Sequence, residues 1–331
     1  MRFMKLVALL AITAGLTAPA LAEVSELRIT RQPSTVYLPL ILMEQQKLVE
    51  KKTREAGLGD VKVSWLTFSS GGASTDALMS GNVDLVTSGV SNLLLLWDRT
   101  RGEVKGVAGA SAVPMVLVTR NPAVKTLADF SEKDRIAVPT VKVSMQAIVL
   151  QIAAEKAFGE AGRNKLDAIT IQLGHPDAAI ALANPRSEVN SHFSLPPFLN
   201  FELADPNIHK VVNSSDVMGG PVSNGVIFGT RKFQEANPKL MAAFRAALDE
   251  AMSLIKNDPR QAAEIYLAAT REKISVDELA KIIGDKESVY SAAPQNTMKI
   301  ADHLHKSGVI KRAAETWKDF FFADVHALPG S

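Results

Sequence analysis

The sequence predicts an α/β protein of two lobes, each a parallel-rich sheet with flanking helices. Three observations lead there. Strand-like apolar runs alternate with helical runs from Leu27 onward. The alternation breaks at residues 111–114 and restarts at Arg135 with its pieces in the same order. The run Ser-Gly-Asn-Val-Asp at 80–84 is answered by Arg-Ser-Glu-Val-Asn at 186–190. That is a two-fold repeat at domain scale, not a solenoid period, and on its register Ser88 corresponds to Ser194.

The elements follow in order. Residues 27–30 form a first strand, 31–37 a loop, and 38–49 a helix with Pro39 in its first turn. Val61, Val63 and Trp65 alternate with polar residues in a second strand that ends near Phe68. Ser69-Ser70-Gly71-Gly72 opens a helix whose apolar face includes Ala73, Ala77 and Leu78. Residues 83–86 form the next strand, Ser88-Gly89-Val90-Ser91 opens the next helix, and 104–110 is a further strand. This β-α-β-α-β-α-β order predicts a parallel sheet with right-handed crossovers.

In the second copy, 115–119 and 135–138 are strands, and Ser144 is placed to cap a helix reaching Phe158. Strands at 169–173, 189–193 and 209–213 follow, with a helix over 178–183. A return strand at 225–228 precedes a helical tail, led by an amphipathic helix over 238–257. Trp317, Phe320, Phe321 and Phe322 read as core. The domain scheme is a leader at 1–22, lobe I at 23–112, lobe II at 113–222, and 223–331 returning to lobe I. The lobe crossings near 111–114 and 219–223 are rich in Gly, Pro and Ser, as a hinge needs.

Residues 1–22 read as a secretory signal. Arg2 and Lys5 precede an apolar run, and Ala20-Leu21-Ala22 fits a cleavage site. The apolar run is too short for an ordinary membrane span. Cleavage after Ala22 lowers Lys plus Arg from 37 to 35, against 35 Asp plus Glu. A chain so balanced is a poor nucleic-acid binder. It holds 0 cysteines, which excludes thiol catalysis, thiolate metal sites and a disulfide framework. It also lacks a Gly-x-Ser-x-Gly elbow, a His-Glu-x-x-His pair and a dinucleotide fingerprint. His175, His192 and His209 lie in different elements without metal-ligand spacing, so neither a metal nor a cofactor is expected.

The two small, hydroxyl-rich loops after Phe68 and Val86 sit where strands hand over to helices. At the carboxyl edge of a parallel sheet, such corners present free N–H groups to a small polar ligand. Lobe I supplies Gln32, Ser34, Thr35, Tyr37, Ser70, Gly71, Ser88 and Gly89 as candidate contacts. Lobe II supplies Thr140, Val143, Ser144, His192 and Ser194. His192 is the sharpest of these, weighed against an interior role for a histidine on a buried strand. His175, at a helix start, is a weaker candidate.

The stretches at 29–34, 77–85, 116–120, 125–130 and 135–139 together resemble the periplasmic substrate-binding proteins of ABC importers, in the nitrate, taurine and alkanesulfonate group. The resemblance implies a type II binding fold with two crossover strands, and a small-molecule ligand in the cleft. It also implies a periplasmic monomer that docks on an inner-membrane permease driven by an ATPase. The run His192-Phe193-Ser194-Leu195-Pro196-Pro197 departs from the group's pattern, so ligand identity does not carry over. From the hydroxyl-rich helix starts, a small organic anion (sulfonate, carboxylate or nitrate-like) is expected. The rival readings are an exported enzyme akin to pyrimidine-precursor synthases, against which the missing cysteines count, and a ligand-sensing partner of a membrane receptor.

Overall fold

The computed structural model describes residues 23–32, 34–68 and 70–331, and the leader-like segment 1–22 lies outside them. The first half opens with β1 (Glu26–Arg31), a 3₁₀ turn (Thr35–Tyr37), α1 (Leu38–Gln45) and α2 (Leu48–Glu55). The single helix expected over 38–49 is thus two helices. The polar run Gln45-Gln46-Lys47 interrupts the apolar stretch, and Lys47 takes a left-handed conformation at φ 51°. β2 (Lys62–Thr67), α3 (Gly71–Met79), β3 (Leu85–Ser88), α4 (Val90–Arg99) and β4 (Val104–Ser111) follow.

The second half contains β5 (Val116–Thr119), β6 (Ile136–Val138), α5 (Met145–Phe158), β7 (Thr170–Gln172) and α6 (His175–Ala183). β8 (Ser191–Ser194), α7 (Phe198–Leu203), β9 (His209–Asn213) and α8 (Ser214–Met218) complete it. The chain then returns through β10 (Gly225–Thr230) to α9 (Arg231–Ala236), α10 (Pro238–Asn257), α11 (Pro259–Thr270), α12 (Val276–Ile283) and α13 (Thr297–Lys306).

Among the described residues, ten strands make two five-stranded sheets, ordered β2-β1-β3-β10-β4 and β7-β6-β8-β5-β9. The two orders superpose position by position, with β1 matching β6, β3 matching β8 and β10 matching β5. β1 runs parallel to β2 and β3, and β6 parallel to β7 and β8. The four strands of residues 26–111 run in one direction, as their alternation with helices predicts, and the sheet is mixed only through a fifth strand from outside that span. β10 enters between β3 and β4 and runs antiparallel to both. It comes back from the other half and meets the sheet from the opposite end. β5 does the same between β8 and β9.

Burial follows the sequence pattern. α10 hides Leu240, Met241, Phe244, Ala247, Leu248, Ala251 and Ile255, one stripe at 3.6-residue spacing, and packs on α1 and α2. Each large apolar side chain so buried contributes about 1.5–3 kcal/mol. The carboxylate of Glu23 accepts from the backbone N–H groups of Lys239 and Leu240 at 2.9 and 2.7 Å, in the first turn of α10. That helix has no cap from its own N-cap side chain. Trp317, Phe320, Phe321 and Phe322 are buried, and Trp97 meets Phe320 edge-to-face at 4.7 Å. Gly106 leaves the room for this cluster, because a Cβ there would lie 2.2 Å from the Phe321 ring. No helix among the described residues is long and apolar enough to cross a membrane.

Where the chain passes between halves, the two strands of traffic are tied together. The Asn224 side chain accepts from Val113 N at 3.0 Å and donates to Val113 O at 2.7 Å.

Candidate functional site

The carboxyl ends of β1, β3, β6 and β8 face one cavity of about 450 Å³, counting the part open to solvent. One wall comes from the first half: Gln32, Ser34, Val36, Tyr37, Gly71, Ser88, Gly89 and Asn92. The facing wall is Pro139, Thr140, Ser144, Met145, Gln146, His175 and Leu195, with Asn224 at the crossing. The cavity thus forms where the two repeats turn from strand to helix.

Local sequence explains each corner. Ser34 Oγ accepts from Val36 N at 2.9 Å and caps the turn leading into α1. Ser70 caps α3, with Oγ 3.3 Å from Ala73 N, and Ser144 caps α5, with Oγ 3.3 Å from Ala147 N. Gly89 precedes α4 and Gly174 precedes α6, both in extended conformation. The leading N–H groups of such helices lack intrahelical partners. They carry the positive end of the helix dipole. Gly71 is required by closeness, since a Cβ there would lie 2.1 Å from Ser88 Oγ and 2.2 Å from Asn92 Nδ2. Ser88 in turn accepts from Asn92 Nδ2 at 2.7 Å, one helical turn on.

The walls touch around the cavity. Thr35 Oγ1 donates to Pro196 O at 3.0 Å, and Ser91 Oγ donates to Val143 O at 2.9 Å. Both bonds join one half to the other.

No Lys, Arg, Asp or Glu lines the cavity among the described residues. The lining groups that titrate are Tyr37, whose phenol burial pushes above its ordinary value, and His175. Burial, with His192 alongside, holds His175 well below the ordinary imidazole value. His175 begins a file of polar groups leading inward. Gln146 Nε2 lies 3.1 Å from His175 Nε2, His175 Nδ1 lies 2.9 Å from His192 Nε2, and His192 Nδ1 lies 2.5 Å from Glu202 Oε1. Phe198 stacks on the His175 ring at 6.0 Å.

Among the expected contacts, the cavity wall brings together Gln32, Ser34, Tyr37, Gly71, Ser88, Gly89, Thr140 and Ser144. Thr35, Ser70, Val143, His192 and Ser194 stand behind it. Thr35 and Val143 are occupied in the bonds between halves, and Ser70 in its cap. His192 and Ser194 are fully buried on β8, and Leu195, one residue on, reaches the wall in place of Ser194. Asn92, Met145, Gln146 and Asn224 were not foreseen. The Ser88–Asn92 pair could have been found from its four-residue spacing across a helix start. Nothing local distinguishes Gln146 from an ordinary helix-surface glutamine. Among the described residues, no group of three or more His, Cys, Asp or Glu could hold a metal ion.

The fold is that of periplasmic binding proteins. The chain is similar to the alkanesulfonate-binding protein SsuA from Xanthomonas axonopodis pv. citri, solved bound to MOPS, at TM-score 0.70 and 19% identity, over 88% of this chain and 96% of that one. It is similar to the aliphatic sulphonate binding protein SsuA from Escherichia coli at TM-score 0.67 and 17% identity, over 91% and 92% of the two chains. It is similar to the nitrate-binding protein NrtA from Synechocystis PCC 6803 at TM-score 0.65 and 15% identity, over 89% and 85%. No family model matches the sequence, and no curated protein does.

Proposed function

We propose that this protein is a non-catalytic solute receptor of an ABC import system, exported to the periplasm by a cleaved leader, that captures a small organic or inorganic anion between its halves. The observation that carries the reading is the cavity wall, where several helix starts and neutral donors converge. A small anion is held there by backbone N–H groups and dipole ends, each contributing about 0.3–1 kcal/mol when exposed and up to ~2 kcal/mol when partly buried. The wall offers no nucleophile with an adjacent base and acid, so capture without conversion fits it best.

Residues 23–112 with 223–331 form one lobe and 113–222 the other, and the crossings at 111–114 and 219–223 serve as the hinge. The lobes open to admit the solute and close over it through the Thr35–Pro196 and Ser91–Val143 bonds. The closed monomer then docks on a permease coupled to an ATPase. The sulfonate- and nitrate-binding proteins of the same fold support an anionic ligand.

The test is a thermal-shift panel of organosulfonates, carboxylates and nitrate beside neutral and cationic metabolites, followed by mass spectrometry of the incubated ligand. Stabilisation by anions with the ligand recovered unchanged is expected. Stabilisation by cations or neutral solutes alone would overturn the ligand class, and a converted product would overturn the receptor reading.

A further inference from the structure

The cavity has an antechamber. A second hollow, of about 710 Å³ counting the part open to solvent, lies beside the first and is larger than it. Thr67 and Phe68, at and just past the end of β2, wall it on one side. Pro176 and Asp177, in the first turn of α6, wall it on the other. Gln32 and His175 line both spaces, and no other described residue does. These two side chains therefore stand at the junction.

The junction has one polar group to spare. His175 is engaged on both ring nitrogens, with Gln146 Nε2 3.1 Å from Nε2 and His192 Nε2 2.9 Å from Nδ1. It has no ring nitrogen left for a solute. Gln32 is the opposite case. Its Nε2 is shut off from solvent and has no hydrogen-bond partner among the described residues. A buried amide donor left unmade is costly, so each one asks for the group that completes it.

The antechamber selects by different means. Phe68 and Pro176 give it apolar walls, and none of its described lining residues is basic. Asp177, exposed at the start of α6, is the charged residue among them. An apolar chain entering this space leaves water for Phe68 and Pro176. A second negative charge entering it meets Asp177 with no lining cation to offset the repulsion.

Resting on the receptor reading above, we infer that the solute is a two-part monoanion: a compact head in the inner cavity accepts from Gln32 Nε2, and an apolar extension passes between Gln32 and His175 into the antechamber, where Asp177 rejects dianions. Bare ions such as nitrate fill only the first space. They forgo the apolar burial against Phe68 and Pro176, which is worth about fourfold in affinity for each methylene removed from water. Asp177 acts through its charge alone. Its discrimination is about fivefold at close range in water and shrinks as salt is added.

The experiment uses the full chain without its leader, with calorimetry at pH 7.5, where every probe is ionised. The probes are acetate, hexanoate and hexanedioate, with methanesulfonate and hexanesulfonate beside them. Hexanoate is expected to bind about tenfold or more tightly than acetate, and hexanesulfonate likewise against methanesulfonate. Hexanedioate should bind about fivefold or more weakly than hexanoate at low salt. Part of that gap is the cost of drying a second carboxylate, so Asp177→Asn isolates the charge and should narrow the gap. Phe68→Ala should shrink the ratio of hexanoate to acetate affinity. Gln32→Leu should weaken every probe about tenfold or more. Equal affinity for short and long probes would overturn the inference while leaving the receptor reading intact. An Asp177→Asn chain that keeps the full gap would overturn the charge filter, and a Gln32→Leu chain that binds as the parent does would overturn the role of its amide. If Phe68→Ala fails to fold, the chain-length series on the parent still decides. If none of the five probes binds, the anion reading itself falls and takes the inference with it.

Discussion

Gly89 and Met145 face each other across the cleft with no space for another carbon. A Cβ on Gly89 would lie 2.4 Å from Met145 Cγ. The two residues belong to opposite walls, so crowding here acts on closure more than on either half alone. Gly89→Ala is expected to weaken ligand capture by the cost of overpacking, about 1–3 kcal/mol, with a smaller change in the melting of the ligand-free chain. Gly89→Ala combined with Met145→Ala should recover part of that loss. Calorimetry on the two variants checks this, and equal affinity of Gly89→Ala and the parent would refute it.

Gly71 is a different case, because its close neighbours lie in its own half. A methyl group there would displace Ser88 Oγ and Asn92 Nδ2, which bond each other at 2.7 Å. Gly71→Ala should therefore lower stability, ligand or no ligand, by about 1–3 kcal/mol. Chemical denaturation of the ligand-free protein reads this directly.

Glu23 tests both the leader and the fold. Its carboxylate caps α10, and it is the residue that cleavage after Ala22 would place first. Glu23→Ala should cost about 0.5–2 kcal/mol, the usual worth of an N-terminal cap. Intact-mass measurement of protein recovered from the periplasm should find a chain beginning at Glu23. A chain retaining residues 1–22 would contradict the leader reading.

His303 joins α13 to α5, with Nε2 3.3 Å from Gln151 Oε1. Burial lowers its pKa below the ordinary 6.5, although Glu155 pulls the other way. A histidine held neutral in the folded state contributes stability above its unfolded value. That contribution is lost as pH falls from about 6.5 toward the lower folded value. Melting temperatures between pH 7.5 and 5 should thus fall with pH, and less steeply in His303→Asn. Parallel curves for the two proteins would assign the pH dependence elsewhere.

Much of the architecture was legible because it rests on local periodicity. The alternation around Val61, Val63 and Trp65 and the stripe along α10 each point to one element type. The repeat placed Ser88 and Ser194 at matching strand ends, where β3 and β8 do end. The antiparallel entry of β10 was not legible, since strand direction depends on where the chain has been in space. The break at Lys47 was hidden by helix formers on both sides. At the cavity, glycines and serines at helix starts announced themselves by type. Gln146 and Asn224 did not, because an amide acquires its role only from the partner that folding brings to it. His192 was conspicuous by type but lies one shell deeper than a wall residue, with His175 between it and the cavity.

A cavity wall free of lysine and arginine also bears on how the protein behaves in brine. Short-range donors inside a closed cleft are little screened by dissolved ions, whereas pairs of exposed charges weaken beyond about 10 Å at 0.1 M. Retention should thus hardly change between dilute buffer and seawater-like ionic strength. The lining itself contributes no cation to draw anions in, so capture depends on its neutral donors and on how often the halves part.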